Sequence, residues 1–177
     1  MAQLVMQRPH LRGAPAARPL PTGYPLRQAG AADEPALAET LTAAFGETWT
    51  PERVRRELTG APEVRAVYVI DCRGYVVATA SSRVPLAHFP GAGCVHWVAT
   101  HPDHTRRGLG QVLLIRLLRD VAERGEAQAV LQTDDFRLPA IRAYLQCGFV
   151  PIYAVRDEDH RERWSAIFQG MFQRGVK

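Results

Sequence analysis

Residues 95–111 read VHWVATHPDHTRRGLGQ, the pattern of a strand, a tight glycine-containing turn and the start of a helix. The first N–H groups of a helix have no partner inside it, and the helix dipole adds partial positive charge, so such a turn is a preformed anion site. Gly108 and Gly110 lack side chains that would hold an anion away from the backbone, and Arg106 and Arg107 add positive charge. The segment predicts a phosphate or pyrophosphate site.

Two common phosphate-binding motifs do not fit this segment. A Walker A loop requires a lysine after its last glycine, and Lys177 is the only lysine of the chain. A dinucleotide-binding fingerprint requires a third glycine where this chain has Leu113. Coenzyme A remains as the pyrophosphate compound that fits better, with a tight turn that binds nothing as the alternative.

The periodicity on both sides of this segment predicts alternating strands and helices. We expect strands at 26–28, 66–71, 75–80, 94–100, 127–132, 149–155 and 164–171, and a loop at 81–93. We expect helices from Asp33 to Phe45, Pro51 to Leu58, Gly108 to Arg124 and Pro139 to Gln146. Because this order requires crossover connections, we predict one α/β domain over residues 25–177, with a central mixed sheet flanked by helices.

Residues 1–24 are rich in arginine, proline and alanine and contain no acidic residue. They show no apolar periodicity, so they bury too little surface to offset the entropy of ordering. We predict a flexible N-terminal tail.

Composition narrows the class of protein. The net charge of +4 comes almost entirely from arginines spread along the chain, which favours a small polyanion over nucleic acid. No apolar run approaches the roughly 18 residues that cross a membrane, so no membrane association is expected. Cys72, Cys94 and Cys147 lack metal-ligand spacing and predict a reducing compartment, the cytoplasm, and no metal.

A second block, residues 137–149, reads RLPAIRAYLQCGF. Together the two blocks resemble the GNAT acetyltransferase superfamily, whose signatures are [Q/R]-x-x-G-x-[G/A] and N-x-x-A-x-x-x-Y-x-x-x-G-F. Thr105 and Arg137 depart from the family's Gln or Arg and from its Asn. The resemblance covers roughly residues 25–171.

The resemblance implies a mechanism. The strand at 94–100 would splay from the strand at 127–132, and the pantetheine of acetyl-CoA would pair with the backbone of Val98, Ala99 and Thr100. The cofactor's phosphates would lie on Arg106, Arg107, Gly108, Leu109, Gly110 and Gln111, with Arg137 as a further cofactor contact. A neutral primary amine would attack the thioester directly, with backbone N–H groups stabilising the oxyanion.

Tyr144 is the expected general acid, because a phenol with an ordinary pKa near 10 can protonate a leaving thiolate. The alternative is an aromatic residue that only packs on its helix. His96 is the candidate general base on the fourth strand, with Gln132, Asp134 and Asp135 nearby. A histidine that is merely hydrogen-bonded beside the core remains an alternative.

The acceptor is expected to be a small-molecule or peptide amine. Its pocket is a candidate role for Phe45, Trp49, Trp97 and Trp164, and strand alternation predicts that His96 and Trp97 point to opposite faces. A homodimer is left open by the resemblance. The alternative functions are a non-catalytic acyl-CoA sensor on the same fold and, third, a nucleic-acid-associated protein that uses the arginine-rich tail.

Overall fold

The computed structural model describes residues 3–13, 16, 18–155 and 158–175. Its strands are β1 (Leu4–Arg8), β2 (Leu26–Gln28), β3 (Val64–Cys72), β4 (Tyr75–Arg83), β5 (Ala92–Thr100), β6 (Gln128–Thr133), β7 (Val150–Ile152), β8 (Ala154–Val155) and β9 (Glu158–Asp159). Its helices are α1 (Glu34–Phe45), α2 (Pro51–Val54), α3 (Leu109–Glu123), α4 (Leu138–Gln146) and α5 (Arg161–Gly175). A π-helical turn, Arg55–Thr59, continues α2.

Seven strands form one sheet in the order β2-β3-β4-β5-β6-β1-β7, and β8 pairs with β9 separately. All neighbours in the large sheet are antiparallel except β5 and β6, which are parallel and joined through α3. The predicted α/β class and mixed sheet are confirmed.

Helices cover the two faces of the sheet. The strong apolar stripe of α3 packs on one face, where Tyr68 of β3 and Val95 of β5 join the main core cluster. The opposite face of the sheet packs against α1 and α2, with Val67 and Val69 of β3 in a second cluster. Successive side chains of β3 therefore point alternately towards α3 and towards α1 and α2.

The N-terminal prediction was wrong for Leu4–Arg8. This segment is β1, which pairs with β6 from Leu4 opposite Thr133 to Arg8 opposite Ala129 and also pairs with β7. Leu4, Val5 and Met6 are buried. A five-residue strand is too short to show a period against its proline- and arginine-rich surroundings, so composition averaged over 24 residues concealed it. The structure thus extends the sheet beyond the predicted boundary at residue 25.

The prediction of a last strand at residues 164–171 was also wrong, because this segment lies in α5. Trp164 and Ile167 are buried in the main cluster, and Phe168 and Met171 pack against it. Their spacing of three, four and seven residues is helical rather than alternating. The predicted loop at 81–93 is shorter, since β4 continues to Arg83 and β5 begins at Ala92. The predicted strand at 149–155 is divided between β7 and β8.

Arg8 ties β1 to the end of α4. Its side chain is buried, and its guanidinium donates to the carbonyl of Cys147, the residue that caps the C-terminus of α4. Gly148 has a φ of +82°, and a Cβ there would collide with the Arg8 guanidinium. No carboxylate pairs with Arg8 within the described residues. The negative end of the α4 dipole therefore stabilises this buried charge.

We expect Arg8→Met to lower the free energy of unfolding by roughly 2–3 kcal/mol, because the Cys147 carbonyl loses a charged donor in a buried setting. Urea denaturation followed by circular dichroism measures the change. Arg119→Met, at an exposed position of α3, is the matched control and should stay within about 0.5 kcal/mol of the parent chain. Equal stabilities of the two variants would contradict this role for Arg8.

Candidate functional site

The start of α3 presents unpaired backbone donors. Gly108 is its N-cap residue and has a left-handed conformation, with φ +76° and ψ +7°. The first backbone bond into the helix runs from the N–H of Val112 to the Gly108 carbonyl at 3.1 Å. The N–H groups of Gly108, Leu109, Gly110 and Gln111 have no acceptor in the part of the chain that the structure describes. This is the donor set that binds phosphate oxygens.

The turn that leads into α3 is held by Thr105. Its hydroxyl donates to the Pro102 carbonyl at 2.9 Å, and its N–H reaches the same oxygen at 3.3 Å. Arg106, which follows, has a φ of +62° and is exposed, as is Arg107. A Cβ at Gly108 would meet nothing within 4 Å. The positive φ at residue 108 favours glycine, and the missing side chain leaves the backbone N–H groups of the turn accessible.

The parallel pairing of β5 with β6 ends one residue before His96. Ala92 to Val95 pair with Gln128 to Leu131, and no further β5 residue pairs with β6. From His96 to Thr100 β5 is bonded to β4 on one side only. The two strands are thus splayed, and the open edge of β5 leads directly to the start of α3. Val98, Ala99 and Thr100, predicted as cofactor contacts, lie on this open edge.

A β-bulge interrupts β5 beside the opening. Thr79 of β4 pairs with Ala99, but Ser81 pairs with His96, so β5 has an extra residue between them. Trp97 there has a φ of +44°, a backbone conformation that tryptophan rarely adopts. The rings of His96 and Trp97 lie 5.0 Å apart between centroids. The prediction that they point to opposite faces was therefore wrong, because the bulge breaks the alternation.

Trp97 belongs to an aromatic cluster with Phe45 and Trp49 on the α1 side of the sheet. Its ring centroid is 5.3 Å from that of Phe45 and 4.7 Å from that of Trp49, both in edge-to-face geometry. The guanidinium of Arg53 covers Trp49 at 3.8 Å. Trp164 is instead fully buried in the main core, where its indole donates to the Ile152 carbonyl. Three of the four predicted aromatic residues therefore come together.

His96 is largely buried on this same face. Its Nδ1 is buried and has no hydrogen-bond partner among the described residues, while its backbone carbonyl accepts from the Ser81 hydroxyl at 2.8 Å. Burial, reinforced by the positive charge of Arg83, lowers the pKa of His96 to about 4. The imidazole is therefore neutral at neutral pH. No sequence motif singled out Arg83.

Tyr144 is buried on the α3 side of the sheet. It belongs to the main cluster, against which Val98 of the open edge also packs, and its ring lies 6.1 Å from that of Phe149. Burial raises the pKa of Tyr144 to about 12. Its phenol makes no hydrogen bond within the described residues. Tyr144 is consequently a protonated donor at any ordinary pH.

The two aspartates that follow β6 are ion-paired with arginines. The Arg137 Nε bonds to the Asp134 carboxylate at 2.8 Å, and the Arg163 Nε bonds to Asp135 at 3.0 Å. The Arg163 guanidinium lowers the pKa of Asp135. Both carboxylates are therefore engaged in ion pairs. Arg137 also lies 4.7 Å from the ring of Phe45, and its cofactor contact stays a prediction.

Neither a metal centre nor a bilayer-spanning helix is present in the described part of the chain. No group of three or more histidine, cysteine, aspartate or glutamate side chains there is arranged to hold a metal ion. No helix there combines the length and the apolar character needed to span a bilayer.

Solved structures share this fold at low sequence identity. A GCN5-related N-acetyltransferase from Sphaerobacter thermophilus aligns with a TM-score of 0.65 at 24% identity, over 86% of this chain and 50% of that one. The ribosomal-protein-S18-alanine N-acetyltransferase from Escherichia coli aligns with a TM-score of 0.62 at 22% identity, over 77% and 87%. These likenesses show the fold alone.

Relatives with higher sequence identity are acetyltransferases. The mycothiol acetyltransferase of Nocardia farcinica is 32% identical over 146 residues, which is 76% of this chain and 48% of that protein. The mycothiol acetyltransferase of Saccharomonospora viridis is 30% identical over 145 residues. The chain spans about half the length of these curated relatives. The acetyltransferase (GNAT) family profile matches residues 34–149, more than half of the chain. This chain belongs to the GNAT acetyltransferase family.

Proposed function

We propose that the chain transfers an acetyl group from acetyl-CoA to a primary amine by direct attack. The observation that carries the proposal is the open edge of β5, which ends at the unpaired N–H groups of α3. The pantetheine amides pair with the backbone of Val98, Ala99 and Thr100, and the pyrophosphate binds the Gly108–Gln111 donors beside Arg106 and Arg107.

The reaction itself needs positioning and proton transfer. The amine nitrogen bonds to the thioester carbonyl carbon, and the backbone donors of the bulged strand stabilise the oxyanion. When the carbon–sulfur bond breaks, Tyr144 supplies a proton to the leaving thiolate. His96, whose imidazole is neutral, accepts a proton from the amine. The buried phenol is protonated and the half-buried imidazole is neutral, which are the states that these roles require.

Gly108→Val should weaken acetyl-CoA binding by roughly tenfold or more, because a side chain would stand where the phosphates meet the backbone. Calorimetric titration with acetyl-CoA, and with pantetheine as the analogue without phosphates, measures this loss. Gly46→Val is the matched control, since Gly46 also has a positive φ of +71° and open space around it. If both variants bind acetyl-CoA as the parent chain does, the phosphates bind elsewhere.

Tyr144→Phe should lower kcat by roughly 10²- to 10⁴-fold, the usual contribution of a general acid, while the acetyl-CoA Kd stays unchanged. Release of CoA thiol in the presence of a panel of primary amines measures kcat, and calorimetry measures the Kd. Binding without turnover of any amine by the parent chain would favour an acyl-CoA sensor instead. An unchanged kcat in the variant would assign proton donation to another group.

The low pKa of His96 predicts a pH dependence of stability. Because the unfolded chain has an ordinary histidine pKa near 6.5, it binds more protons than the folded chain between about pH 6.5 and pH 4. The free energy of unfolding therefore falls as the pH falls through this window. We expect the parent chain to lose up to about 3 kcal/mol more than His96→Gln between pH 7 and pH 4. Urea denaturation at each pH measures the free energy of unfolding of both chains. If that free energy changes with pH equally in the parent chain and in His96→Gln, the imidazole of His96 is exposed.

A further inference from the structure

Three buried nitrogen atoms on the α1 side of the sheet have no hydrogen-bond partner among the described residues. They are the Nε of Arg83, the Nδ1 of His96 and the Nε1 of Trp97. Arg83 pairs across the sheet with Cys94, two residues before His96, so both side chains lie on one face. The bulge adds Trp97 to this face, with its ring 5.0 Å from that of His96. We call Arg83, His96 and Trp97 the donor cluster.

The acidic side chains nearest the donor cluster make no ion pair with Arg83 among the described residues. Glu57 is bonded by Arg53 and by Arg56, and Glu47 by Arg53. Glu63 lies close enough to act electrostatically on His96, but it makes no ion pair with Arg83 among the described residues. Arg83 is therefore a half-buried guanidinium with no carboxylate partner in the described part of the chain.

The chemistry of the donor cluster defines its occupant. The Nε–H of arginine and the indole N–H of tryptophan can only donate, and imidazole donates or accepts according to its tautomer. Leaving such groups buried and unpaired is costly, and a carboxylate oxygen is a strong acceptor for donors of this kind. A ligand with an amine and no carboxylate would bring further N–H donors to these groups and would leave the positive charge of Arg83 uncompensated.

We propose that the donor cluster binds a carboxylate of the acceptor, so that the acceptor is a small amino acid whose amine and carboxylate lie a few bonds apart. This inference rests on the proposed function, because it assumes that the acceptor amine reaches the thioester beside the bulge. His96 and Trp97 directly follow Val95, where the pairing of β5 with β6 ends, so a carboxylate held there keeps the attached amine close to the open edge.

The first test needs no turnover. The chain has three tryptophans, and the indoles of Trp49 and Trp164 are already bonded to Glu47 and to the Ile152 carbonyl. In ¹⁵N-labelled protein, N-acetylalanine should shift the indole signal that Trp97→Phe removes and leave the other two unmoved. N-acetylalanine amide, which lacks the charge, should bind roughly 10- to 100-fold more weakly.

Variants identify the group that is responsible. Arg83→Gln should weaken N-acetylalanine binding roughly 10- to 100-fold, whereas Arg65→Gln, on an exposed position of β3, should not change it. The proposal would be overturned if N-acetylalanine amide shifted the Trp97 indole signal as much as N-acetylalanine does, or if N-acetylalanine did not shift it. It would also be overturned if Arg83→Gln and Arg65→Gln bound N-acetylalanine equally well.

A second test separates this proposal from the proposed function. Alanine and phenylalanine are compared as acceptors with ethylamine and phenethylamine, their decarboxylated counterparts. Preference for the amino acids, lost in Arg83→Gln, supports the proposal. Preference for the bare amines overturns it and leaves acetyl transfer intact. Specific N-acetylalanine binding without acetyl-CoA binding or turnover would overturn the proposed function and keep the carboxylate site.

Discussion

The end of the β5–β6 pairing at Val95 and Leu131 is the constraint on which the site depends. Backbone N–H and C=O groups inside a protein need partners, and a sheet normally supplies them on both sides of a central strand. Beyond Val95 one side of β5 is left without a strand. The same strand runs into a helix whose first N–H groups are also unpaired. The open edge of β5 and the start of α3 thus offer two sets of unmet hydrogen-bonding groups, which suit an extended ligand that ends in phosphates.

The bulge at Trp97 gives the two faces of the sheet different chemistry. Tyr144 and Val98 share the core under α3, where burial holds the phenol protonated. His96 and Trp97 share the opposite face with α1, where burial holds the imidazole neutral. A protonated phenol and a neutral imidazole thus lie on opposite faces of the sheet. In an unbulged strand, His96 and Trp97 would have been divided between the faces.

Strong local signals in the sequence predict α3 and the turn before it, because the apolar residues of this helix recur at helical spacing and its first turn carries Gly108 and Gly110. The short strand β1 escapes prediction because five residues in a proline-rich segment give no period. The strand predicted in place of α5 came from the apolar character of Trp164 to Met171, without regard to their helical spacing. The positive φ at Trp97 and the unpaired guanidinium of Arg83 depend on tertiary contacts, which no local pattern encodes.

The position of β1 has a consequence for how the chain assembles. Leu4 pairs with Thr133, so β1 is synthesised well before its partner β6 and pairs with it only after the intervening chain has been made. Contacts of such long sequence separation slow folding. Until β6 and β7 are available, Leu4 and Met6 belong to an apolar segment with unpaired backbone, which is prone to aggregation. We therefore expect the part of the domain that contains β1, β6 and α4 to be the last to fold.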